Sequence, residues 1–395
     1  MKLAAGALLI AFAQAAFAQE VAAPQPFVIA GAIAQSGLLE KSAAGYRRGL
    51  LLWQDEINAA GGAKGRHVEL RLEDDHSDAT ETRRIYERLA AQPGVDLLVG
   101  PFGSAAQIGA AAMAGRARRV LINATAAASA VQRHGGAYVV QVAAPFSSYG
   151  TAALDLLREE GLRRVLILAR GDLASQEAAA GLRRQAIAQG LDVPQIEAFS
   201  AGARDFASQV ALAKSLDTEA WVAFGKAYDA AEMVKTFKRL DYAPYLFIAQ
   251  GAADPAFVQR VGQDAEWAIG ISPYEPRAAT HGNPDFVRAY ASRWDDVPDL
   301  GAAQGYAAGK LIEQAVRDAR SLDSEVLRAS FVRLRSETPL GSHIPDAAGG
   351  AHAAAQPLLV QIVKGRSEII WPARYATAQR TLPYPQWKTR QPIGE

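Results

Sequence analysis

Strand and helix signals alternate without a break over residues 27–142, and the alternation starts afresh after Pro145 and continues to 271. Three further helix-like stretches lie within 284–334, with no strand of their own to rest on. Together these observations predict an α/β protein of two doubly wound parallel-sheet lobes, with the chain crossing between them about three times. The length agrees, since 395 residues, 50% of them hydrophobic, can bury the cores of about two domains.

After Pro24 and Pro26, the apolar run 27–33 suits a strand buried on both faces. The following loop, 34–44, carries Gln35, Ser36, Leu38, Leu39 and Ser42. Tyr46, Leu50, Trp53 and Ile57 then recur at helical spacing over 45–60, and Gly61 with Gly62 ends that helix. A strand over 68–72 runs into the acidic turn Glu73, Asp74, Asp75, His76, Asp78 and a charged helix over 79–91. The stretch VDLLVGPFGSAAQIGAAAMAGRARRVLINATAAA, 95–128, reads as strand, glycine-punctuated turn, helix from Ser104, second strand, and a loop of small residues holding Thr125 and Ala127. Ser104 is expected at the N-cap of its helix, just past the carboxyl end of a parallel strand. Free N–H groups and the helix dipole favour an anion there. A strand over 138–142 completes the first series.

The second series has helices over 147–160, 174–189, 205–216, 228–240 and, shorter, 255–261. Its strands fall at 165–168, 196–199, 220–224, 245–248 and 267–271. Helices over 284–294, 301–320 and 323–334 must borrow a sheet, and are expected to fold back on the first lobe. The run 357–363 is a strand that suits either sheet, and the tail from 370 reads as an extended strap. The expected division is 19–145 with 275–345 for the first lobe, 146–274 with 346–370 for the second, and 371–395 for the strap.

Composition narrows the function. A formal net charge of +1 gives no broad field for nucleic acid or an anionic membrane. Lys2, the apolar run 3–16 and the small-x-small triplet Ala16, Phe17, Ala18 read as a cleaved secretory signal over residues 1–18. With no cysteine in the chain, neither a disulfide framework nor a lipid-modified cysteine is available. A soluble periplasmic protein stabilised by packing is expected. The acidic turn at 73–78 lacks the glycine and terminal glutamate of a calcium loop and serves to cap the next helix. The six histidines show no metal-ligand spacing, and no nucleophile elbow, phosphate loop or dinucleotide fingerprint occurs. No cofactor is expected.

Three stretches, GAIAQSG at 31–37, GLLLWQDEINAAGGAKGRHVELRLEDD at 49–75 and VDLLVGPFGSAA at 95–106, carry a resemblance. Across 27–363 the chain resembles the type I periplasmic solute-binding proteins of ABC importers, specifically the branched-chain amino-acid (Leu/Ile/Val) binding family. The resemblance implies a non-enzymatic, two-lobed protein that closes on one small solute and presents it to permease subunits in the inner membrane. Closure needs a ligand that touches both lobes, because only differential affinity shifts the population. Candidate hinges lie near Pro145, at 272–274 and within 339–357. Nothing points to a stable oligomer, so a monomer is expected.

The resemblance also implies a pocket. Ser104 falls where the family holds the ligand carboxylate, with Thr125 and Ala127 in the next loop beside it. Leu38, Leu39 and Ser42 stand where an apolar wall is usual, and Tyr149 where a polar hinge residue is expected. In the second lobe Gln250 stands in place of the family's acidic residue and Lys226 in place of an aromatic, with Tyr228 and Asp229 close behind. An ammonium left without a counter-charge costs several kcal/mol, about a thousandfold in affinity. An aromatic or aliphatic acid, or an amide, therefore suits Lys226, Tyr228 and Gln250 at least as well as an amino acid, unless Asp229 supplies the charge. The competing readings are a secreted α/β enzyme with an interlobe active site, and the sensing module of a regulator.

Overall fold

In the computed structural model, which describes residues 24–142, 144–345, 352–353 and 356–390, the first series forms a five-stranded parallel sheet in the order β2-β1-β3-β4-β5. Its elements are β1 (Phe27–Ala32), α1 (Glu40–Ala59), β2 (Val68–Glu73), α2 (Ala79–Ala91), β3 (Leu97–Val99), α3 (Ser104–Ala117), β4 (Leu121–Asn123), α4 (Ser129–Gly135) and β5 (Val139–Gln141). Period-two alternation explains why β1 is apolar throughout. Phe27 and Ile29 enter one buried cluster, whereas Val28, Ala30 and Ala32 enter another on the opposite face. The leader expected over 1–18 lies outside the described residues.

The second series comprises α5 (Thr151–Glu159), β6 (Val165–Arg170), α6 (Leu173–Ala188), β7 (Ile196–Phe199), α7 (Ala207–Ser215), β8 (Ala220–Phe224), α8 (Ala227–Arg239), β9 (Leu246–Ala249), α9 (Pro255–Val261) and β10 (Ile269–Ser272). There follow α10 (Asn283–Trp294), α11 (Leu300–Asp318), α12 (Ser324–Arg333), β11 (Ser336–Thr338), β12 (Gly341–Pro345), β13 (His352–Ala353), β14 (Leu358–Val363) and β15 (Arg366–Trp371). The second sheet has seven strands, β15-β14-β10-β9-β8-β6-β7. It is parallel except at one edge, where β14 lies antiparallel to β10 and β15 antiparallel to β14. Lys364 and Gly365, at φ 51° and 72°, make the two-residue turn between them. Two positive φ values match a type I′ hairpin.

Helices α10 to α12 lie on the first sheet: Phe286, Tyr290, Leu311, Ala315 and Phe331 share one cluster with Tyr46 and Trp53. Helix α1 starts at Glu40, so Ser42 lies on a helix and not in the expected loop. The helix begins before the apolar spacing from Tyr46 marks it, because Glu40, Lys41 and Ser42 of its first turn are exposed and carry no apolar period. Gly45 and Gly49 on α1 face Gly301, Gly305 and Gly309 on α11, and the backbones approach where side chains would collide. A Cβ on Gly49 would strike the carbonyl of Ala302, and one on Gly305 that of Tyr46.

The tail is more deeply integrated than a surface strap. Ile370 is buried in β15, and Tyr384 is buried beside Phe247 with its N–H on the Tyr245 carbonyl at 2.8 Å. The indole of Trp387 donates to the Tyr242 carbonyl at 2.8 Å, and the Arg390 guanidinium lies 3.4 Å from its ring centroid.

The chain passes between the sheets after β5, after β10 and before β14. The second passage is rigidly held. Asn283 is fully buried, accepts from the Tyr274 hydroxyl at 2.9 Å and donates to the carbonyls of Glu275, Pro276 and Ala278. Thr280 ties this passage to the third by donating to the Pro339 carbonyl at 2.6 Å.

On α12, Glu325 accepts from Tyr138, Arg328 and Arg118, which hold its carboxyl down at about 2. A folded-state value below the unfolded one means the contribution to stability is complete above the ordinary carboxylate range and is lost as pH falls toward 2. Glu325→Gln is therefore expected to destabilise most at pH 7. The gap to wild type in urea unfolding should narrow between about pH 5 and pH 3, and a gap independent of pH contradicts this assignment.

Candidate ligand-binding cleft

Parallel α/β sheets collect ligand-binding loops at the carboxyl ends of their strands, and here one contact brings the two carboxyl edges together. Ser129 opens α4, just past the loop that follows β4, and Glu177 lies in the first turns of α6, just past β6. The Ser129 N–H and hydroxyl donate to the two Glu177 carboxylate oxygens at 3.2 and 2.7 Å. Arg133 adds a donor to the same hydroxyl at 2.7 Å.

On the first lobe, Ser104 occupies the first helical position of α3, not the N-cap. The cap is Gly103 at φ 87°, a backbone conformation that glycine adopts without strain. Ser104 is half-buried and lines a pocket of about 170 Å³ with Leu39, Ser77, Phe102 and the buried carboxyl of Asp75. Burial pushes the Asp75 carboxyl upward, against the pull of hydrogen bonds from the Ser77 N–H and the Thr82 hydroxyl.

Thr125 is committed within its own lobe. Its hydroxyl donates to the Pro101 carbonyl at 3.0 Å and accepts from the Gly103 N–H at 3.2 Å, so it braces the turn that presents Ser104. Ala127 is buried, and its carbonyl accepts from the Phe146 N–H at 3.0 Å, where the chain leaves for the second lobe. Ser42 is exposed on the first turn of α1. Leu38, by contrast with Leu39, is 92% exposed at this edge.

On the second lobe, Tyr149 belongs mainly to the core. It is 8% exposed among the buried aliphatics of α5 and β6, packs edge-on against Phe146, and its phenol is pushed up to about 12 by burial. Lys226 is exposed at the N-cap of α8, and its N–H donates to the Asp229 carboxylate at 2.8 Å. Gln250, half-buried, follows β9 directly. Gly251 beside it packs on the Lys226 carbonyl so closely that a Cβ would collide, which sets the Lys226 and Gln250 loops side by side. The Tyr228 ring receives Arg260 of α9 over its face at 5.4 Å.

Sequence reasoning missed Arg170. It ends β6, after five apolar residues, and with Gly202, Arg204, Tyr228 and Asp229 lines an open pocket of about 390 Å³. An arginine closing an otherwise fully buried strand was the available signal. Asp229 is buried, caps α8 and lies 3.7 Å from the Arg170 guanidinium. Its Oδ2 is thus engaged inside the lobe, and its Oδ1 is buried without a hydrogen-bond partner among the described residues. Among the described residues no helix is long and apolar enough to cross a membrane, and no cluster suits a metal ion.

Residues 26–367 match the family model described as periplasmic binding protein. The chain is 24% identical over 375 residues to the Leu/Ile/Val-binding protein homolog 8 of Brucella abortus (strain 2308), covering 89% of this chain and 91% of that one. Among solved structures it resembles a putative branched-chain amino acid ABC transporter protein from Rhodospirillum rubrum, with TM-score 0.80 and 20% identity over 87% of this chain and 100% of that one. It also resembles the branched-chain amino acid transporter substrate binding protein LivJ from Streptococcus pneumoniae, solved with isoleucine. There the TM-score is 0.63 and the identity 23%, over 88% of this chain and 99% of that one.

Proposed function

The chain belongs to the periplasmic binding protein family, whose members bind solutes and are not enzymes, and on that premise we propose that it is the solute-capturing component of an ABC importer. In this reading it is exported to the periplasm through its leader, and as a monomer it takes up a small carboxylate-bearing solute between the two carboxyl edges and delivers it to permease subunits in the inner membrane. The observation that carries the reading is the approach of the two edges through Ser129 and Glu177, with Ser104 at a helix start on one side and Lys226, Tyr228 and Gln250 on the other.

The division of labour follows from the bonds already made. Ser104 offers its hydroxyl and the first N–H groups of α3 to the carboxylate, and Thr125 holds the turn rigid from behind. Ala127 fixes the exit of the chain toward the second lobe through its carbonyl, Ser42 stands exposed on α1, and the ring of Tyr149 supports the passage between lobes. The 19–145 and 275–345 segments would then move as one unit against 146–274 and 346–370.

The test is thermal denaturation of the mature protein with leucine, isoleucine, benzoate and hexanoate. A ligand present at about 100 times its Kd adds about 2.7 kcal/mol of stability by mass action. Ser104→Ala is expected to weaken binding of the active solute by about tenfold to a hundredfold, the worth of a hydrogen bond to a charged group. An unchanged affinity in that variant contradicts the role given to Ser104.

A further inference from the structure

We infer that the solute carries a second anionic group, read on the second lobe by Arg170 with Arg204, so that the substrate class is a small dicarboxylate and not a zwitterionic amino acid. This rests on the solute-capture reading above and specifies the ligand of the same cleft.

The Arg170 side chain is only 26% exposed, yet it donates no hydrogen bond among the described residues, and its Nε is buried without an acceptor. Its nearest acids are held at a distance. Asp172 Oδ2 lies 3.4 Å from Nε and Asp229 Oδ2 lies 3.7 Å from Nη1. Charge-assisted bonds form at about 2.7–2.9 Å. Both acids already have other work: Asp172 caps α6 through the Ser175 N–H and hydroxyl, and Asp229 accepts the Lys226 N–H. Arg164, at the other end of the same strand region and more exposed, shows what a fully employed guanidinium looks like here. It donates to the Asp217 carbonyl at 2.6 Å and to its carboxylate at 2.8 Å.

Arg204 lines the same pocket and Lys226 stands at the next loop; both are exposed, and neither has an ion-pair partner among the described residues. Three cations thus face two carboxylates that are engaged with helix ends. A ligand ammonium placed here would meet like charge from Arg170 and Arg204, while the one carboxylate of the pocket, Asp229, already accepts the Lys226 N–H and lies beside Arg170. A neutral amide would offer the guanidinium one acceptor and leave the excess positive charge of the three cations over the two acids unbalanced. A carboxylate supplies both the charge and the two acceptors that the arginine fork is shaped for.

The experiment is calorimetric titration of the mature protein with matched probes, hexanoate against adipate and benzoate against terephthalate, and with leucine. At least one diacid is expected to bind about tenfold or more tightly than its monoacid. In Arg170→Gln that ratio should collapse toward one, and Arg204→Gln should reduce it by a smaller factor. Arg170→Lys, which keeps the charge and loses the fork, should give an intermediate ratio, and Arg204→Gln serves where the Arg170 variants fold poorly. Leucine binding more tightly than every diacid, or a ratio unaltered in the variants, overturns this inference and leaves solute capture standing. If no probe of any class binds, the carboxylate reading of the first lobe falls with it.

Discussion

Gly305→Val is expected to lower the stability of the protein by about 3 kcal/mol or more, at or above the top of the usual range for overpacking. The residue lies in the second turn of α11, where an added Cβ would strike the Tyr46 carbonyl oxygen and come within 3.0 Å of the Leu50 nitrogen of α1. Neither atom is the end of a flexible side chain, so the helices themselves would have to part. The same separation would loosen the bond from the Tyr306 hydroxyl to Glu56 at 2.6 Å, which links the two helices. In a unit of this size each kcal/mol moves Tm by about 2–4 °C. Gly109→Ala on α3 provides the contrast, because nothing lies within 4 Å of the added methyl. There the gain in helix propensity, about 1 kcal/mol, should appear undiminished. Opposite signs for the two substitutions in urea unfolding are the expected result, and a tolerated valine at Gly305 contradicts the packing described.

Tyr384→Ala is expected to cost about 3–5 kcal/mol, as for other buried aromatic truncations. The ring lies 5.4 Å from that of Phe247 and 6.3 Å from that of Trp387, with the Arg390 guanidinium 4.5 Å from its centroid. Removing it opens a cavity under α8 and frees the tail beyond Thr381, which is otherwise pinned by a reciprocal pair of bonds with Gln361 at 3.0 and 2.8 Å. Tyr375→Ala, at a half-exposed ring in the same tail, should fall within about 1 kcal/mol of wild type. Limited proteolysis after Thr381 should accelerate in the Tyr384 variant alone. Equal protease resistance in both contradicts an anchoring role for Tyr384.

Much of the architecture was legible because sheet burial leaves a simple trace. Residues such as Val165, Ile167 and Ala169 face one side while Leu166 and Leu168 face the other, and a strand covered on both sides must be apolar throughout. The family resemblance rested instead on 31–37, 49–75 and 95–106, all in the first series of elements. What was not legible depended on partners distant in the chain. The sequence placed Gly45 and Gly49 on a helix but gave no sign that α11 packs on them. Strands β11 and β12, three and five residues long, are too short to show a period. Tyr384 gave no sign of burial in a tail rich in proline and polar residues.

The candidate site divides along the same line. Ser104 was singled out because its meaning is local, a small residue at a strand-to-helix turn, although it stands one position inside its helix. Thr125 and Tyr149 have the residue types of ligand contacts, but the structure uses the hydroxyl of one and the ring of the other for support. Arg170 was passed over because the role proposed for it rests on hydrogen bonds it does not make with Asp172 and Asp229, and an unused donor leaves no pattern in a sequence.

The bond from Thr280 to the Pro339 carbonyl has a mechanical corollary. It fastens two of the three connecting segments to each other, and Asn283 stiffens the first of these from within. In the two-lobe movement proposed above, the pair would act as a single plate, with the segment through Pro145 as the other bearing. Two bearings define one axis, so the proposed movement is a swing in one plane and not a tumble.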